Sequence, residues 1–270
     1  DFSYTLSRAT GTFTSFMSGG REYITGGPVF NIWRAPLAND IDPWGAYQYA
    51  DGKKMPGLGR SIDNQLRTLG FRNPDVQVDE ITVQPGESSV TIVFRKYYNA
   101  SNLRGSFESF ESFTFHPGGA VDIAFHLIPH GIMPDMLPRV GWQWELPKEA
   151  GKLRWYGRGP FETYPDRKTG AKFGIHHSDA DREYVPYIIP QDYGNHTDTR
   201  WLEVSGLPGT GIRFSSPAPF NFSVQKYSTD QLSRAMYTCQ LKESSFQTLN
   251  IDFEVSGVGG TAVRQLEKYR

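Results

Sequence analysis

Apolar and polar residues alternate along most of this chain with a period of two. The first 24 residues show the pattern three times, beginning with Phe2, Tyr4 and Leu6 and passing through a Gly19-Gly20 pair. Because successive side chains of a strand point to opposite faces, each run predicts a half-buried strand, and the glycine pair suits a hairpin turn. Similar runs occupy residues 89–94, 113–115, 121–127, 139–146, 152–157, 201–205, 211–215, 220–226 and 249–253.

Only two segments have the spacing and end residues of short helices. The first runs from Ser61, a suitable N-cap, to Leu69, and Gly70 ends it. The second runs from Ser228 to about Ala235, with Ser228 and Gln231 spaced as a capping box. We therefore expect helix to make up under about 15% of the chain, well below the usual third, and assign the chain to the all-β class.

The segment from Asp42 to Gly59 has neither period and contains four glycines and two prolines. It is predicted to be a long loop and the most mobile long segment of the chain. Long ordered loops in compact domains are often functional, so this loop is a candidate for binding.

Composition narrows the class of partner. The 270 residues carry a formal net charge of −1, which provides no electrostatic footprint for nucleic acid or a membrane surface. The single Cys239 excludes an internal disulfide and is expected in the core. No linker or repeat divides the chain, so residues 1–270 are interpreted as one domain.

The stretch from Trp155 to Val204 concentrates aromatic residues, glycines and prolines and is predicted to form short strands joined by ordered turns. His176 and His177, followed by Asp179 and Asp181, have the residue types of a metal site. Adjacent strand residues face opposite ways, however, so a solvated turn is the better interpretation, and His196 with Asp198 is treated in the same way.

Two carboxylates in the same stretch, Glu162 and Asp166, could be mistaken for a catalytic pair. We interpret them as turn carboxylates bonded to backbone groups or to Arg167.

Two groups of residues resemble the small-chain, C-terminal domain of the β-galactosidases of glycoside hydrolase family 2. The resemblance implies an all-β fold: a two-sheet antiparallel supersandwich, similar to galactose mutarotase. The matching residues are Asn31–Asp40 with its Arg-Ala-Pro, Gly157–Pro160, Tyr164–Gly170, Tyr184–Tyr187, Pro190-Gln191, Gly194-Asn195 and Thr199–Trp201.

The resemblance also implies a function that this chain would share with a larger parent enzyme. In that family both catalytic glutamates lie in a separate barrel domain, so no catalytic residue is assigned here. The parent would hydrolyse terminal β-galactosides or galactose-containing oligosaccharides, and Mg²⁺ and Na⁺ would bind only in the barrel. The chain begins at Asp1 without Met and is expected to be an excised domain lacking its last strand or strands. The compartment, cytoplasmic or periplasmic, and assembly of the parent as a homo-oligomer are left open.

The resemblance places two segments of this chain at the rim of the sugar site. One follows the Arg-Ala-Pro signature, and the other is the Gly-Val-Gly-Gly segment at 257–260, where many relatives continue with an Asp-Asp-Ser-Trp run. Here Thr261–Arg264 follow instead, so the stacking Trp is absent at that place. The candidate rim residues are Asn39, Asp40, Asp42, Trp44, Tyr47, Gly259, Gly260 and Arg264.

A second hypothesis keeps the same fold but makes the chain a free-standing module, either a carbohydrate-binding protein or a mutarotase-like aldose epimerase. An epimerase needs a His acid and a Glu or Asp base that converge on one face of a sheet. His126 qualifies by residue type, although no motif supports it.

The rim hypothesis predicts that Trp44→Ala in the parent enzyme raises KM or alters kcat while the melting temperature moves little, since an aromatic lid gates access without supplying catalytic groups. If the loop is instead buried against another domain, the same change costs roughly 3–5 kcal/mol of stability and leaves the kinetics per folded molecule unchanged. Steady-state kinetics and thermal melting of this one variant distinguish the two.

Overall fold

Fourteen strands dominate the described part of the chain. A computed structural model describes residues 2–41, 57, 59–206, 210–259 and 265–270. Strand makes up 52% and helix 9%, which confirms the all-β prediction. The strands are β1 (Phe2–Ser7), β2 (Thr12–Ser18), β3 (Arg21–Ile24), β4 (Gly26–Asn31), β5 (Asp75–Pro85), β6 (Val90–Asn99), β7 (Gly105–Phe115), β8 (Val121–Gly131), β9 (Arg139–Pro147), β10 (Lys152–Gly159), β11 (Lys172–Asp179), β12 (His196–Ser205), β13 (Ile212–Gln225) and β14 (Phe246–Val255).

The strands form two antiparallel sheets, as predicted. The larger sheet has the order β1-β2-β4-β9-β14-β13-β12-β10-β11, and β3 pairs with β2. The smaller sheet has the order β5-β6-β7-β8. Three predicted strands in the first 24 residues are confirmed as β1, β2 and β3, whereas the two runs at 211–215 and 220–226 are one strand, β13, with an irregular pairing between them.

The two sheets pack face to face through aromatic side chains. The ring centroids of Phe13 and Phe113 are 5.5 Å apart, and those of Phe125 and Trp142 are 5.0 Å apart. In each pair one ring comes from the larger sheet and the other from the smaller sheet. These contacts make the two layers a sandwich with one aromatic core between them.

Three short α-helices lie outside the sheets: α1 (Ala38–Ile41), α2 (Ile62–Thr68) and α3 (Thr229–Arg234). Ser61 and Ser228 cap α2 and α3 as predicted, each accepting a hydrogen bond from the backbone N–H three residues later. The reciprocal half of the predicted capping box does not form, because the Gln231 side chain accepts from the Lys242 N–H at 3.0 Å. None of the helices in the described ranges has the length and hydropathy needed to cross a membrane.

The prediction that Cys239 belongs to the core is wrong. The residue is exposed on a single 3-10 turn, Thr238–Gln240, which buries none of its residues. A cysteine in a turn has no apolar layer to enter, so its small hydrophobic side chain stays at the surface.

An ion pair lies inside the sandwich. Lys96 Nζ is 2.6 Å from Glu111 Oε2, and both side chains are fully buried. Lys96 also donates to the Gly11 carbonyl at 2.8 Å, and Glu111 accepts from the Tyr98 hydroxyl at 2.7 Å and the Ser109 hydroxyl at 3.0 Å. These additional bonds offset the desolvation that a buried pair always costs.

We expect Lys96→Met to destabilise the chain by about 3–5 kcal/mol, because Glu111 is then left buried without its counter-charge. Adding Glu111→Gln to Lys96→Met removes the unpaired charge and should recover a large part of the loss. Urea unfolding of both variants measures this. Equal stabilities for the single and the double variant would contradict the assignment.

Candidate functional site

The signature Asn31–Asp40, which includes the Arg-Ala-Pro sequence, contains a buried ion pair. Arg34 follows β4, and Asp40 lies in α1; Arg34 Nε donates to Asp40 Oδ2 at 2.9 Å and Nη2 donates to Oδ1 at 3.1 Å. The arginine side chain is 0% exposed and the aspartate 2%. Burial lowers the pKa of Arg34, but the Asp40 carboxylate outweighs it and holds that pKa above its ordinary value. Arg34 therefore stays charged in the protein interior.

Arg34 also donates hydrogen bonds to the segment directly after β14. Its Nη1 donates to the Ser256 carbonyl at 3.1 Å and its Nη2 to the Gly257 carbonyl at 3.0 Å. The Gln265 amide donates to Asp40 Oδ1 at 2.9 Å. One ion pair thus joins the segment after β4 to the segment after β14, more than 200 residues later in the chain.

Asn39 and Asp166 complete the connection. The Asn39 side-chain amide donates to the Val258 carbonyl at 2.7 Å. Asp166 accepts from the Val258 N–H at 2.9 Å and from the Gly259 N–H at 2.8 Å. A Cβ on Gly257 would come within 2.6 Å of the Asp166 carboxyl group, so the close approach requires glycine there. We call the set Arg34, Asn39, Asp40, Asp166 and Gly257–Gly259 the junction.

The structure brings together three rim candidates from two segments that are remote in the sequence. Asn39, Asp40 and Gly259 all lie in the junction. The remaining candidates, Asp42, Trp44, Tyr47, Gly260 and Arg264, lie outside the described residues, as does most of the predicted loop from Asp42 to Gly59.

Sequence reasoning misses the roles of two junction residues and of Gln265, which donates to the junction residue Asp40. Arg34 belongs to the signature but is not among the rim candidates, Asp166 is assigned only to a turn, and nothing in the local pattern singles out Gln265. The one available indication is the cluster of glycines at 257–260, which marks a close backbone approach without naming the group that approaches.

The interpretation of Glu162 and Asp166 as turn carboxylates is confirmed. Glu162 accepts from Arg167, from the Tyr187 hydroxyl and, at 2.8 Å, from the Gly194 N–H. Burial, followed by the Glu162 charge, raises the pKa of Tyr187 to about 12, so its hydroxyl remains a donor. Asp166 accepts from the backbone N–H groups of Val258 and Gly259.

The histidines considered as metal ligands or as an epimerase acid contact groups close to them or face solvent. His176 lies on β11 against Trp155, and its Nε2 is 3.1 Å from the Lys172 carbonyl, while His177 faces the other side. His196 is buried and bonds to Glu183 at 2.7 Å. Within the described ranges, no three His, Cys, Asp or Glu side chains are close enough to hold a metal ion. His126, the epimerase candidate, is exposed on β8 opposite Phe110.

A second buried charge cluster lies beneath the junction. Arg139 at the start of β9 is 3.2 Å from Asp192 Oδ2 and 3.8 Å from Asp252 Oδ2 on β14. The backbone N–H of Asp192 donates to the Ala35 carbonyl at 3.1 Å, next to Arg34. Neither oxygen of Asp252 accepts a hydrogen bond from a described residue. Burial, opposed by Arg139 and reinforced by Asp192, raises the pKa of Asp252 to about 7.

This geometry stabilises chain positions. Asp40 accepts from Arg34, from Gln265 and from the Leu37 N–H at 3.1 Å, so its lone pairs are occupied. Asp166 is occupied by two backbone donors. The junction holds the ends of two segments, one leaving at Ile41 and the other at Gly259, in fixed relative positions.

The pKa of Asp252 generates a pH prediction. Its folded-state pKa, about 7, lies above the ordinary value of 3.8, so the folded chain binds a proton more tightly than the unfolded chain between these values. Stability from this group is therefore present below pH 3.8 and falls as pH rises towards 7. Asp252→Asn should remove that fall, so the variant gains stability relative to the original chain as pH rises from 3.8 towards 7. Urea unfolding across this range tests it, with Glu254→Gln, an exposed carboxylate on the same strand, as control. Parallel pH profiles for the original chain and Asp252→Asn would contradict the assignment.

Comparison with known proteins identifies the family. The family model described as the β-galactosidase small chain matches residues 1–270. A β-galactosidase from Priestia megaterium is 27% identical over 260 residues, covering 96% of this chain and 23% of its own length. One from Photobacterium profundum is 30% identical over 266 residues, covering 93% and 23%. The chain thus spans about a quarter of these relatives. It belongs to the β-galactosidase small-chain family.

Proposed function

We propose that this chain is the small-chain region of a larger β-galactosidase, in which residues 1–270 form one module that supports the catalytic barrel and contributes to the rim of the sugar site. The relatives that bear the name β-galactosidase are about four times longer than the matched segment, which supports a parent with further domains. Hydrolysis of terminal β-galactosides belongs to that parent, and Mg²⁺ and Na⁺ are assigned to its barrel.

The observation that carries the proposal is the bond between the Asn39 amide and the Val258 carbonyl, 2.7 Å long. The resemblance implies both rim segments, and this bond fixes the residues that precede them to each other. A binding group must be held to within about half an ångström of its productive position. The hydrogen-bonded junction is a base of that kind for the segments 42–58 and 260–264.

The same junction argues against catalysis by this region itself. Its carboxylates are occupied by arginine, amide and backbone donors, so none is available as a nucleophile or as an acid. Retaining glycosidases need two carboxyl groups about 5–5.5 Å apart that can exchange roles with the substrate. The 270-residue chain alone is therefore expected to be inactive on a nitrophenyl galactoside.

Asn39→Ala in the parent should lower kcat/KM for a nitrophenyl galactoside by roughly tenfold, the equivalent of about 1.4 kcal/mol, because the two rim segments lose their shared anchor. The melting temperature should move by only a few degrees. The matched control is Asn221→Ala, which removes a side-chain amide that donates to the Asp252 and Phe253 carbonyls on β14, away from the junction.

Three results would contradict the proposal. The first is unchanged kinetics of Asn39→Ala, and the second is an equal kinetic loss in Asn221→Ala. The third is hydrolysis by the 270-residue chain that disappears when one of its own carboxylates is replaced.

A further inference from the structure

A cavity of about 340 Å³ lies between the end of β4 and the segment that joins α2 to β5. Ligand sites in proteins have volumes of about 300–1,000 Å³. The floor is formed by the buried rings of Phe30, Phe71, Tyr98 and Phe107. The Phe107 ring meets the rings of Phe30 and Phe71 edge to face, with 5.5 Å between the centroids in each pair. The core of the sandwich therefore fixes the shape of this floor.

The mouth of the cavity is open to solvent. Val29 is 44% exposed, Trp33 and Arg72 are half-buried, and Asn73 is exposed. None of the residues that line the cavity belongs to the junction. The cavity is therefore an accessible recess that the junction does not use.

A buried amide nitrogen in the cavity wall is unpaired within the described residues. Asn31 is 6% exposed, and its Oδ1 accepts from the Trp33 N–H at 3.1 Å. Its Nδ2 donates to no group in the part of the chain that the structure describes. Buried donors in native proteins normally have an acceptor, because an unpaired one loses its bonds to water without replacement. A ligand oxygen in the cavity would supply that acceptor.

Arg72 brings a positive charge to the mouth. Its guanidinium carbon lies 4.7 Å from the centroid of the Trp33 ring, and its Nη2 donates to the Ser233 hydroxyl. No Asp or Glu lines the cavity, and in the described ranges none pairs with Arg72. Arginine has five N–H donors in a planar fork that matches a carboxylate. The ring and the hydroxyl thus hold in place a guanidinium whose charge a ligand carboxylate can pair with.

Gln143 contributes an acceptor. Its Nε2 donates to Thr229 Oγ1 at 3.2 Å and to Asn250 Oδ1 at 3.1 Å, which uses both amide hydrogens. Its Oε1 is therefore the atom that a ligand hydroxyl can meet. The polar groups of the cavity are rich in donors and carry one net positive charge, so they favour an anionic ligand over a neutral one.

We propose that the cavity binds a small carboxylate built on a single ring, with a hexuronate as the sugar of this class. The ring packs on the aromatic floor and Trp33, and the carboxylate accepts from Arg72 and from the Asn31 amide. A ring hydroxyl donates to Gln143 Oε1. All of these residues lie within the chain, so the proposal does not depend on the proposed function.

Isothermal titration calorimetry on the parent enzyme tests the proposal with two matched pairs of ligands. Galacturonate is compared with galactose, and benzoate with benzyl alcohol, so each pair keeps the ring and differs in the carboxylate. A nonhydrolysable alkyl thiogalactoside is present at saturation to occupy the sugar site of the proposed β-galactosidase. We expect at least one carboxylate to bind with a dissociation constant of about 1 mM or lower, and at least tenfold more tightly than its neutral partner. Binding of galacturonate identifies the ligand as a sugar acid, binding of benzoate identifies it as an aromatic acid, and either result supports the proposal.

Variants locate the bound carboxylate. Arg72→Gln should remove the preference for the carboxylate over its neutral partner, whereas Arg72→Lys keeps the charge and should keep the preference. Asn31→Asp keeps the shape and the oxygen that accepts from the Trp33 N–H but replaces the donor with an acceptor, so it should weaken carboxylate binding at least about tenfold. The control is Arg8→Gln, which removes the same charge from the exposed turn after β1 and should bind like the original protein.

The proposal is wrong if neither carboxylate binds, or if each neutral partner binds as tightly as its carboxylate. It is also wrong if Arg72→Gln keeps the preference, if folded Asn31→Asp binds the carboxylate unchanged, or if Arg8→Gln loses the preference, because the anion then binds elsewhere or responds only to overall charge. Thermal melting shows whether each variant is folded, and Arg72→Gln decides the outcome where Asn31→Asp is not. Titration of the thiogalactoside alone is a separate measurement: if it does not bind, the proposed function is contradicted while the carboxylate result stands.

Discussion

The buried pair of Arg34 and Asp40 is the interaction on which the site depends. An isolated charge in the interior is costly, and a buried pair is tolerated only when further bonds satisfy its remaining donors and acceptors. Here those bonds come from the carbonyls of Ser256 and Gly257 and from Gln265. The energetic need to satisfy the pair therefore fixes the chain after β14 to the chain after β4.

The larger sheet makes this possible because its two faces are built differently. Trp142 and Trp144 point into the sandwich, whereas Gln143 between them points the other way and donates to Asn250 at 3.1 Å. Asn250 in turn donates to Ser223 at 3.1 Å. This buried polar ladder across β9, β14 and β13 gives the covering loops hydrogen-bonding partners in place of an apolar floor. Arg139 and Asp252 lie on the same two strands, β9 and β14, and are buried as an ion pair that an apolar layer would not tolerate.

The sequence predicts the fold well where local pattern decides it. Period-two alternation predicts the strands, and Ser61 and Ser228 mark both longer helices, because these features depend on near neighbours. The local rules fail at Cys239, whose burial depends on whether a turn meets the core. They also cannot predict that Asp166 accepts from the Val258 N–H, since those residues are 92 positions apart and only the folded sheets bring them together.

The two faces of the larger sheet carry different side chains, and the proposed role within a β-galactosidase rests on the polar face. The polar face holds the ends of two segments in a network with few free donors or acceptors, so they leave the scaffold from fixed points. The apolar face is incomplete over β13, where half-buried Ile212 and Phe214 line a cleft of about 850 Å³. The same sheet thus stabilises the junction on one side and leaves apolar side chains half-buried on the other.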